Sequence, residues 1–241
     1  MRQGDVCRPP DYVGVGVQRS GSTWWDSLIA AHPQVVSRED RTKEVHYFDR
    51  RMDGTPAREP AVPYERFFPR PPGAVSGEWT PRYMYDGWAL PQLRETAPDA
   101  KILVILRDPV ERYASGLTLQ HQWGQSFSRN FLQHSFQRGL YASQLERLYS
   151  LYPREQVLVL QFEQCIRSVN EELARTFSFL GIDPGFLPPN KHEAQSKSRV
   201  AKVELSPEHR RWLVSSYRAD ASRLLDLLPD FDRSLWPNVT D

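Results

Sequence analysis

The chain has 241 residues, of which 39% are apolar and 25% are charged, and its formal net charge is +1. This length suffices for one large domain or two small ones, and the composition is that of an ordinary globular protein. The near balance of 31 basic and 30 acidic residues excludes a global field that attracts nucleic acid or an anionic membrane, and leaves room only for a local basic cleft.

Short apolar segments predict buried strands at residues 12–17, 101–106 and 156–162, with weaker candidates at 34–37 and 74–78. Helical periodicity lies between them. Start and stop signals delimit helices at residues 22–31, 140–152 and 168–180, a helix that begins at Asp108-Pro109, and a long final helix from Ser206-Pro207. Strands that alternate with helices predict an α/β fold with a mainly parallel sheet.

Residues 13–25, VGVGVQRSGSTWW, join the first strand to the first helix. Gly16, four residues, Gly21, Ser22 and Thr23 follow the spacing of a nucleotide-binding P-loop, but Ser22 stands where a P-loop has Lys. The free N–H groups and the dipole at a helix start attract an anion. The sequence therefore predicts a phosphate site here, in preference to a helix that is simply capped by Ser or Thr.

Side chains of the same loop strengthen the prediction. Ser20, Ser22 and Thr23 offer hydroxyl donors, and Arg19 offers a planar cation that suits phosphate. A kinase of the P-loop class needs a Lys in the loop and an Asp that holds Mg²⁺. The clear candidate for that Asp is Asp108, which we expect to cap a helix, so a metal-dependent kinase is the less favoured alternative.

A second anion site is predicted where the strand at 101–106 ends. Arg107 follows that strand directly, and Ser115 lies about two turns into the next helix. Ligands of open α/β sheets gather at the carboxyl ends of the strands. Two separate phosphate grips fit a nucleotide that is phosphorylated at two positions.

Four motifs in order resemble the sulfotransferases that use 3′-phosphoadenosine 5′-phosphosulfate (PAPS), in particular the heparan sulfate 3-O- and N-sulfotransferases. They are QRSGST (18–23), KEVHYFD (43–49), GEWTPRY (77–83) and RDPVERYASGL (107–117). The resemblance implies a P-loop-like three-layer fold, with a central mainly parallel sheet flanked by helices. It also implies metal-independent, in-line transfer of a sulfuryl group from PAPS to an acceptor hydroxyl, less readily an amine, leaving PAP.

The resemblance also implies roles for the segment 43–49. Glu44 is the expected general base, since the acceptor O–H must lose its proton as it attacks sulfur. His46, two residues further in a segment that we expect to be extended, either orients the acceptor, assists proton transfer or is structural. Lys43 is either an acceptor contact or a solvated charge.

The donor site implied by the resemblance has three parts. Arg19 replaces the family's loop Lys, and is expected to bind the phosphosulfate and to stabilise charge on the bridging oxygen. Arg107 and Ser115 are expected to hold the 3′-phosphate. The remaining expected donor contacts are Ser20, Gly21, Ser22, Thr23 and Trp24 of the loop, and Lys197 and Arg199 as loose counterparts of a C-terminal Lys-Gly-Arg loop.

The acceptor side departs from the family pattern at Trp79, which stands where the heparan 3-O enzymes have a Lys. Trp79 is either an acceptor contact in a more apolar site or a core residue. The balanced charge gives no support to a dense polyanion, so we expect a small molecule, sugar, lipid or natural product as acceptor. A catalytically degenerate nucleotide-binding protein is the alternative outside the enzymes.

The cysteines and the hydropathy of the chain give no further functional signal. Cys7 and Cys165 are too few for a disulfide framework or metal cluster. No apolar run approaches the roughly 20 residues of a membrane span, and the N-terminus lacks a signal-peptide core. We therefore expect a single cytoplasmic domain over residues 1–241, bacterial in origin, with no metal and no nucleic-acid partner. A Pro-rich stretch at 58–72 reads equally as a binding loop or a solvated insertion.

Overall fold

A computed structural model describes residues 4–36, 43–49, 62–189, 191–192 and 202–238. Two of the expected donor contacts, Lys197 and Arg199, lie outside the described residues. The first part of the Pro-rich stretch, residues 58–61, lies outside them as well.

A parallel sheet of four strands forms the centre of the described fold. The strands are β1 Val6–Cys7, β2 Tyr12–Gly16, β3 Pro69–Arg70, β4 Gly77–Trp79, β5 Lys101–Leu106 and β6 Val157–Gln161. The sheet has the order β4–β2–β5–β6, while β1 and β3 pair antiparallel beside it. The three main predicted strands are confirmed to within one residue at each end. The candidate at 34–37 is a single bridge between Val35 and Val75.

Helices cover both faces of the sheet. They are α1 Ser22–Ala30, α2 Ala89–Thr96, α3 Pro109–Gln122, α4 Arg129–Gln137, α5 Tyr141–Leu151, α6 Phe162–Arg167, α7 Val169–Leu180 and α8 Pro207–Leu227. Alternate β5 side chains divide between two cores: Ile102 and Val104 pack with α2, α3, α5 and α8, whereas Leu103 and Ile105 pack with α1, α6 and α7. The predicted three-layer α/β fold is confirmed.

Two of the three helix starts described here have the side-chain cap that the local sequence indicates. Asp108 accepts hydrogen bonds from the N–H groups of Val110 and Glu111 and so caps α3, as its sequence predicts. Ser206 caps α8 in the same way. The Ser-x-x-Glu pattern at Ser168, which is the start signal of the helix predicted at 168–180, gives no side-chain cap, and the N–H of Ser168 instead closes the preceding helix α6.

The topology brings two loops to one edge of the sheet. Because β2 and β5 are parallel neighbours, the loop 17–21 after β2 and Arg107 after β5 leave the sheet side by side. This edge is where a parallel sheet binds ligands. Within the described residues, no helix is both long and apolar enough to span a membrane.

Candidate active site

The loop after β2 presents the start of α1 openly. Gly21 precedes α1 with φ 86° and Arg19 has φ 71°, both in the left-handed region. Glycine is required at position 21 for a second reason, since a Cβ there would lie 2.5 Å from the ring of Phe162. Among the described residues no side chain caps α1, so its first N–H groups are left for another acceptor, as an anion site requires. We call this loop and the first turn of α1 the cradle.

The cradle hydroxyls differ in their access. The Oγ of Ser22 and the Oγ1 of Thr23 both accept hydrogen bonds from the Nζ of Lys43, at 3.1 and 3.2 Å. Ser20 is fully buried, and its Oγ has no hydrogen-bond partner in the described part of the chain. The contact of Ser20 with the donor therefore stays a prediction, and its hydroxyl has a hydrogen bond to give. Trp24 is half-buried, and its indole N–H donates to the carbonyl of Lys191 at 3.0 Å.

The two predicted anion sites, in the loop after β2 and at the end of β5, are in direct contact. The Nε of Arg19 donates to the Oγ of Ser115 at 3.1 Å, and a guanidinium nitrogen of Arg107 donates to the carbonyl of Arg19 at 3.3 Å. The Arg107 guanidinium also lies 5.1 Å from the ring centre of Phe162, a cation–π distance. Sequence reasoning missed Phe162, which begins α6 and carries no motif signal.

Electrostatics at this meeting point favour an anion. Partial burial, and then the charges of Arg107 and Arg112, lower the pKa of Arg19. Like charges gathered in this way repel one another, and a bound anion relieves that repulsion. The arginines of the two loops therefore form one cationic surface beside the cradle.

The segment 43–49 brings Glu44 and His46 together. Glu44 contacts the Lys43 ammonium through Oε1 at 2.9 Å and the Nε2 of His46 through Oε2 at 3.0 Å. The Nδ1 of His46 lies 2.7 Å from the Oδ2 of Asp49, which is buried. The imidazole therefore lies between two carboxylates, with a hydrogen bond to Asp49 and a close N···O contact with Glu44.

The backbone conformation that brings His46 to Glu44 differs from the expected one. His46 has φ 54°, in the left-handed region, so the segment 43–49 is not extended throughout as we expected. The kink at His46 nevertheless turns its ring toward Glu44. Asp49 was part of the quoted motif, and the signal that could have found it was its spacing of three residues from His46.

Lys43 connects the segment to the cradle. Its ammonium contacts the two hydroxyls at the start of α1 and the carboxylate of Glu44 at once. A cation at a helix N-terminus opposes the helix dipole. In the sequence Ser22 stands where a P-loop has its lysine. In the structure the Lys43 ammonium nevertheless reaches the hydroxyls of Ser22 and Thr23, from 21 and 20 residues away.

Trp79 is a core residue. Its side chain is fully buried, its indole N–H donates to the carbonyl of Gly16 at 3.2 Å, and its ring fills the space beside Gly14. The interpretation of Trp79 as an acceptor contact is therefore corrected, because a side chain without exposed surface reaches no acceptor. The exposed cation of the same motif is Arg82, whose Nε lies 2.5 Å from Asp86 and 3.9 Å from Asp49.

Comparisons with known proteins agree with the four motifs. A family model described as "Sulfotransferase domain" matches residues 9–202. The membrane-associated sulfotransferase kil1 of Dictyostelium discoideum is 29% identical over 135 residues, which cover 56% of this chain and 28% of that protein. The heparan sulfate glucosamine 3-O-sulfotransferase 3B1 of Homo sapiens is 27% identical over 190 residues, which cover 72% of this chain and 46% of that protein.

A solved structure has the same fold. The crystal structure of a sulfotransferase from Alicyclobacillus acidocaldarius superposes with a TM-score of 0.79 at 24% identity, covering 95% of this chain and 99% of that one. The chain spans less than half the length of the two curated relatives described above. The chain belongs to the sulfotransferase family, and the predicted resemblance is confirmed.

Proposed function

We propose that this member of the sulfotransferase family moves a sulfuryl group from PAPS to an acceptor hydroxyl, less readily an amine, with Glu44 as general base. One observation carries the proposal. The ammonium of Lys43 contacts both cradle hydroxyls and the Glu44 carboxylate, so the candidate donor site and the candidate base lie one side chain apart. Direct transfer requires this closeness, because the base must reach the acceptor oxygen while it attacks the donor.

The donor is expected to lie along the cationic edge of the sheet. The free N–H groups of α1 bind the 5′-phosphosulfate, and Arg107 and Ser115 bind the 3′-phosphate. Arg19 belongs to the cradle loop and contacts both residues of the 3′-phosphate site, Ser115 through its side chain and Arg107 through its carbonyl. It therefore connects the two ends of the expected donor site. Bound PAPS would supply a sulfuryl group on a phosphate leaving group. The cations of the chain hold the phosphate charge, a task that Mg²⁺ performs in kinases, so transfer is expected to need no metal.

Lys43 is assigned to the donor more readily than to the acceptor. The Lys43 ammonium lies between the cradle hydroxyls and Glu44. If Glu44 activates the acceptor, the sulfuryl oxygens of the donor must lie close to this ammonium. Its ammonium would then stabilise the negative charge that develops during transfer. This role replaces the acceptor contact that the motif alone suggested.

The proton follows a short path. Glu44 accepts the acceptor's hydroxyl proton as the new S–O bond forms, and the old S–O bond leaves its electron pair on the phosphate of PAP. His46 holds Glu44 through its Nε2 and is itself held by Asp49. His46 is the alternative base, and substitution decides between the two.

The acceptor class stays as the sequence suggested: a small molecule, sugar, lipid or natural product. The burial of Trp79 removes an aromatic wall from the acceptor side, and Arg82 offers an exposed cation near His46 and Asp49. The 3B1 relative is named for a glucosamine in heparan sulfate, so sugars belong first in an acceptor panel.

A transfer assay tests the proposal. Purified chain is incubated with PAPS labelled in its sulfuryl group and with hydroxyl acceptors, in the presence of EDTA, and PAP binding is measured by calorimetry. Glu44→Gln is expected to lower kcat by about 10²- to 10⁴-fold while PAP binding persists. Full activity of Glu44→Gln would assign the base to His46. Transfer from ATP that EDTA abolishes would indicate a kinase, and PAP binding without turnover would indicate a degenerate site.

A further inference from the structure

Backbone groups of the segment that carries Glu44 and His46 are held by one buried cluster. The N–H of Val45 donates to the Oε2 of Glu78 at 2.9 Å. The next two N–H groups, those of His46 and Tyr47, donate to the Oγ1 of Thr80 at 3.3 Å and to the hydroxyl of Tyr83 at 2.8 Å. Glu78, Thr80 and Tyr83, which we call the tether group, therefore hold three successive N–H groups of the segment.

We propose that the tether group positions Glu44 and His46 for transfer, so that the second motif, GEWTPRY, acts through the first motif, KEVHYFD. This inference rests on the proposed function and deepens it. It assigns positioning residues to a motif in which Trp79 is buried and Arg82 is the exposed cation.

The direction of the hydrogen bonds explains why a carboxylate stands at the centre of the group. The hydroxyl of Thr80 donates to Glu78 Oε2 at 2.5 Å, and the hydroxyl of Tyr83 donates to Glu78 Oε1 at 3.0 Å. A hydroxyl has one proton, and once it is given to Glu78 the oxygen lone pairs face the N–H donors of the segment. Glu78 thus orients both hydroxyls as acceptors for the backbone.

The cluster is buried, which strengthens the tethers. Glu78 and Thr80 have at most 1% exposed surface, and Tyr83 has none. An N–H that loses its acceptor away from water is costly to the fold. The three acceptors themselves are buried, so these hydrogen bonds restrain the backbone of the segment.

The segment needs such restraint. His46 has φ 54°, and the left-handed region is unfavourable for a non-glycine residue because its Cβ crowds the following carbonyl oxygen. Such a conformation persists only where its surroundings determine it. The Thr80 hydroxyl holds the N–H of this same residue, and the ring of His46 then reaches Glu44 at 3.0 Å.

Two tyrosines provide a matched test. The hydroxyls of Tyr64 and Tyr83 both donate to Glu78 Oε1, at 2.5 and 3.0 Å, but the Tyr83 hydroxyl also accepts from the N–H of Tyr47. Tyr83→Phe and Tyr64→Phe each remove one hydrogen bond to the carboxylate. We expect both to lower the melting temperature, and Tyr83→Phe alone to lower kcat by roughly tenfold or more, with the Kd of PAP changed less than about twofold.

A double-mutant cycle separates positioning from stability. Thr80→Val keeps the shape of the side chain and removes the acceptor for the His46 N–H. We expect it to lower kcat in the wild-type background by roughly tenfold and to cause no further loss in a Glu44→Gln background, since its effect passes through the base.

Five outcomes decide the inference. The kcat loss in Tyr83→Phe alone, together with the non-additive cycle, supports it. Equal kcat losses in Tyr64→Phe and Tyr83→Phe, or additive losses for Thr80→Val and Glu44→Gln, would overturn it, because they indicate general destabilisation. An active Tyr83→Phe variant with unchanged kcat overturns the tethers alone. Absence of PAPS turnover in the wild-type chain overturns the proposed function, and the positioning role with it.

Discussion

The Nε of Arg19 donates a hydrogen bond to the Oγ of Ser115 at 3.1 Å, between residues 96 positions apart. Arg19 lies in the cradle loop after β2 and Ser115 lies on α3, which follows β5. The contact joins the two anion grips that the motifs predict separately. Arg107 completes the junction through the carbonyl of Arg19 at 3.3 Å, so one cationic surface serves both ends of the proposed donor.

Removing Arg107 tests this surface. Arg107→Ala is expected to weaken PAP binding by roughly 10- to 100-fold, since a hydrogen bond to a charged group contributes about 1.5–3 kcal/mol. Titration calorimetry with PAP measures the change. Arg223→Ala is the control, because Arg223 is a mostly exposed arginine on α8 that pairs with Glu146. Equal PAP affinity in the two variants would contradict the assignment of the 3′-phosphate to Arg107.

Lys43 should affect turnover more than product binding. PAP lacks the sulfuryl group, and the Lys43 ammonium lies between the cradle hydroxyls and Glu44. Lys43→Met is expected to lower kcat by about 10²- to 10³-fold, the effect of losing one donor to developing charge. PAP affinity should change less than about threefold. Lys43→Arg keeps the charge and should recover part of the rate.

The contrary result is equally informative. If Lys43→Met weakens PAP binding in proportion to its loss of kcat, the ammonium binds the 5′-phosphate and not the sulfuryl group. Stopped-flow turnover and equilibrium PAP titration on the same preparations separate the two outcomes.

Trp79 should behave as a core residue. Trp79→Lys introduces the residue that the heparan 3-O enzymes have at this place, but here it buries an ammonium against Gly14 and the Gly16 carbonyl. We expect it to lower the free energy of unfolding by several kcal/mol or to prevent folding. Trp79→Phe, which leaves a smaller defect, should cost about 1–3 kcal/mol. Urea unfolding measures both, and a stable Trp79→Lys variant would return Trp79 to the acceptor side.

Asp26 on α1 should make stability depend on pH. Burial raises the pKa of Asp26 to about 7, while Lys43 lowers it and Glu78 and Glu44 raise it. In the unfolded chain an aspartate titrates near pH 3.9, so between about pH 4 and 7 the folded state keeps a proton that the unfolded state releases. The free energy of unfolding therefore falls as pH rises through this interval.

Urea unfolding at pH 5 and pH 8 checks this dependence. Asp26→Asn cannot titrate and should reduce the difference in midpoint between the two values of pH. The difference is not expected to vanish, because burial also raises the pKa of Asp108 and Glu163. An unchanged difference in Asp26→Asn would show that Asp26 titrates in its ordinary range.

Local patterns in the sequence were sufficient for the framework. The apolar runs at β2, β5 and β6 predicted the main strands, because a strand buried on both faces is apolar at nearly every residue. Asp108 before Pro109 predicted the start of α3, because a cap forms between residues that are neighbours in sequence. Helices α2, α4 and α6 were missed, since they span only 8, 9 and 6 residues and so show at most about two turns of periodicity.

The three main strands, the starts of α3 and α8, the glycine turn before α1 and the family follow from the sequence alone. The burial of Trp79 and Ser20, the contact of Lys43 with the cradle and the hydrogen bond from Arg19 to Ser115 are visible only in the folded chain. The two groups of features differ in the sequence separation of the contacts that produce them. Periodicity, capping and turn geometry depend on neighbours along the chain, whereas burial and charge pairing depend on which distant segments the sheet order places side by side.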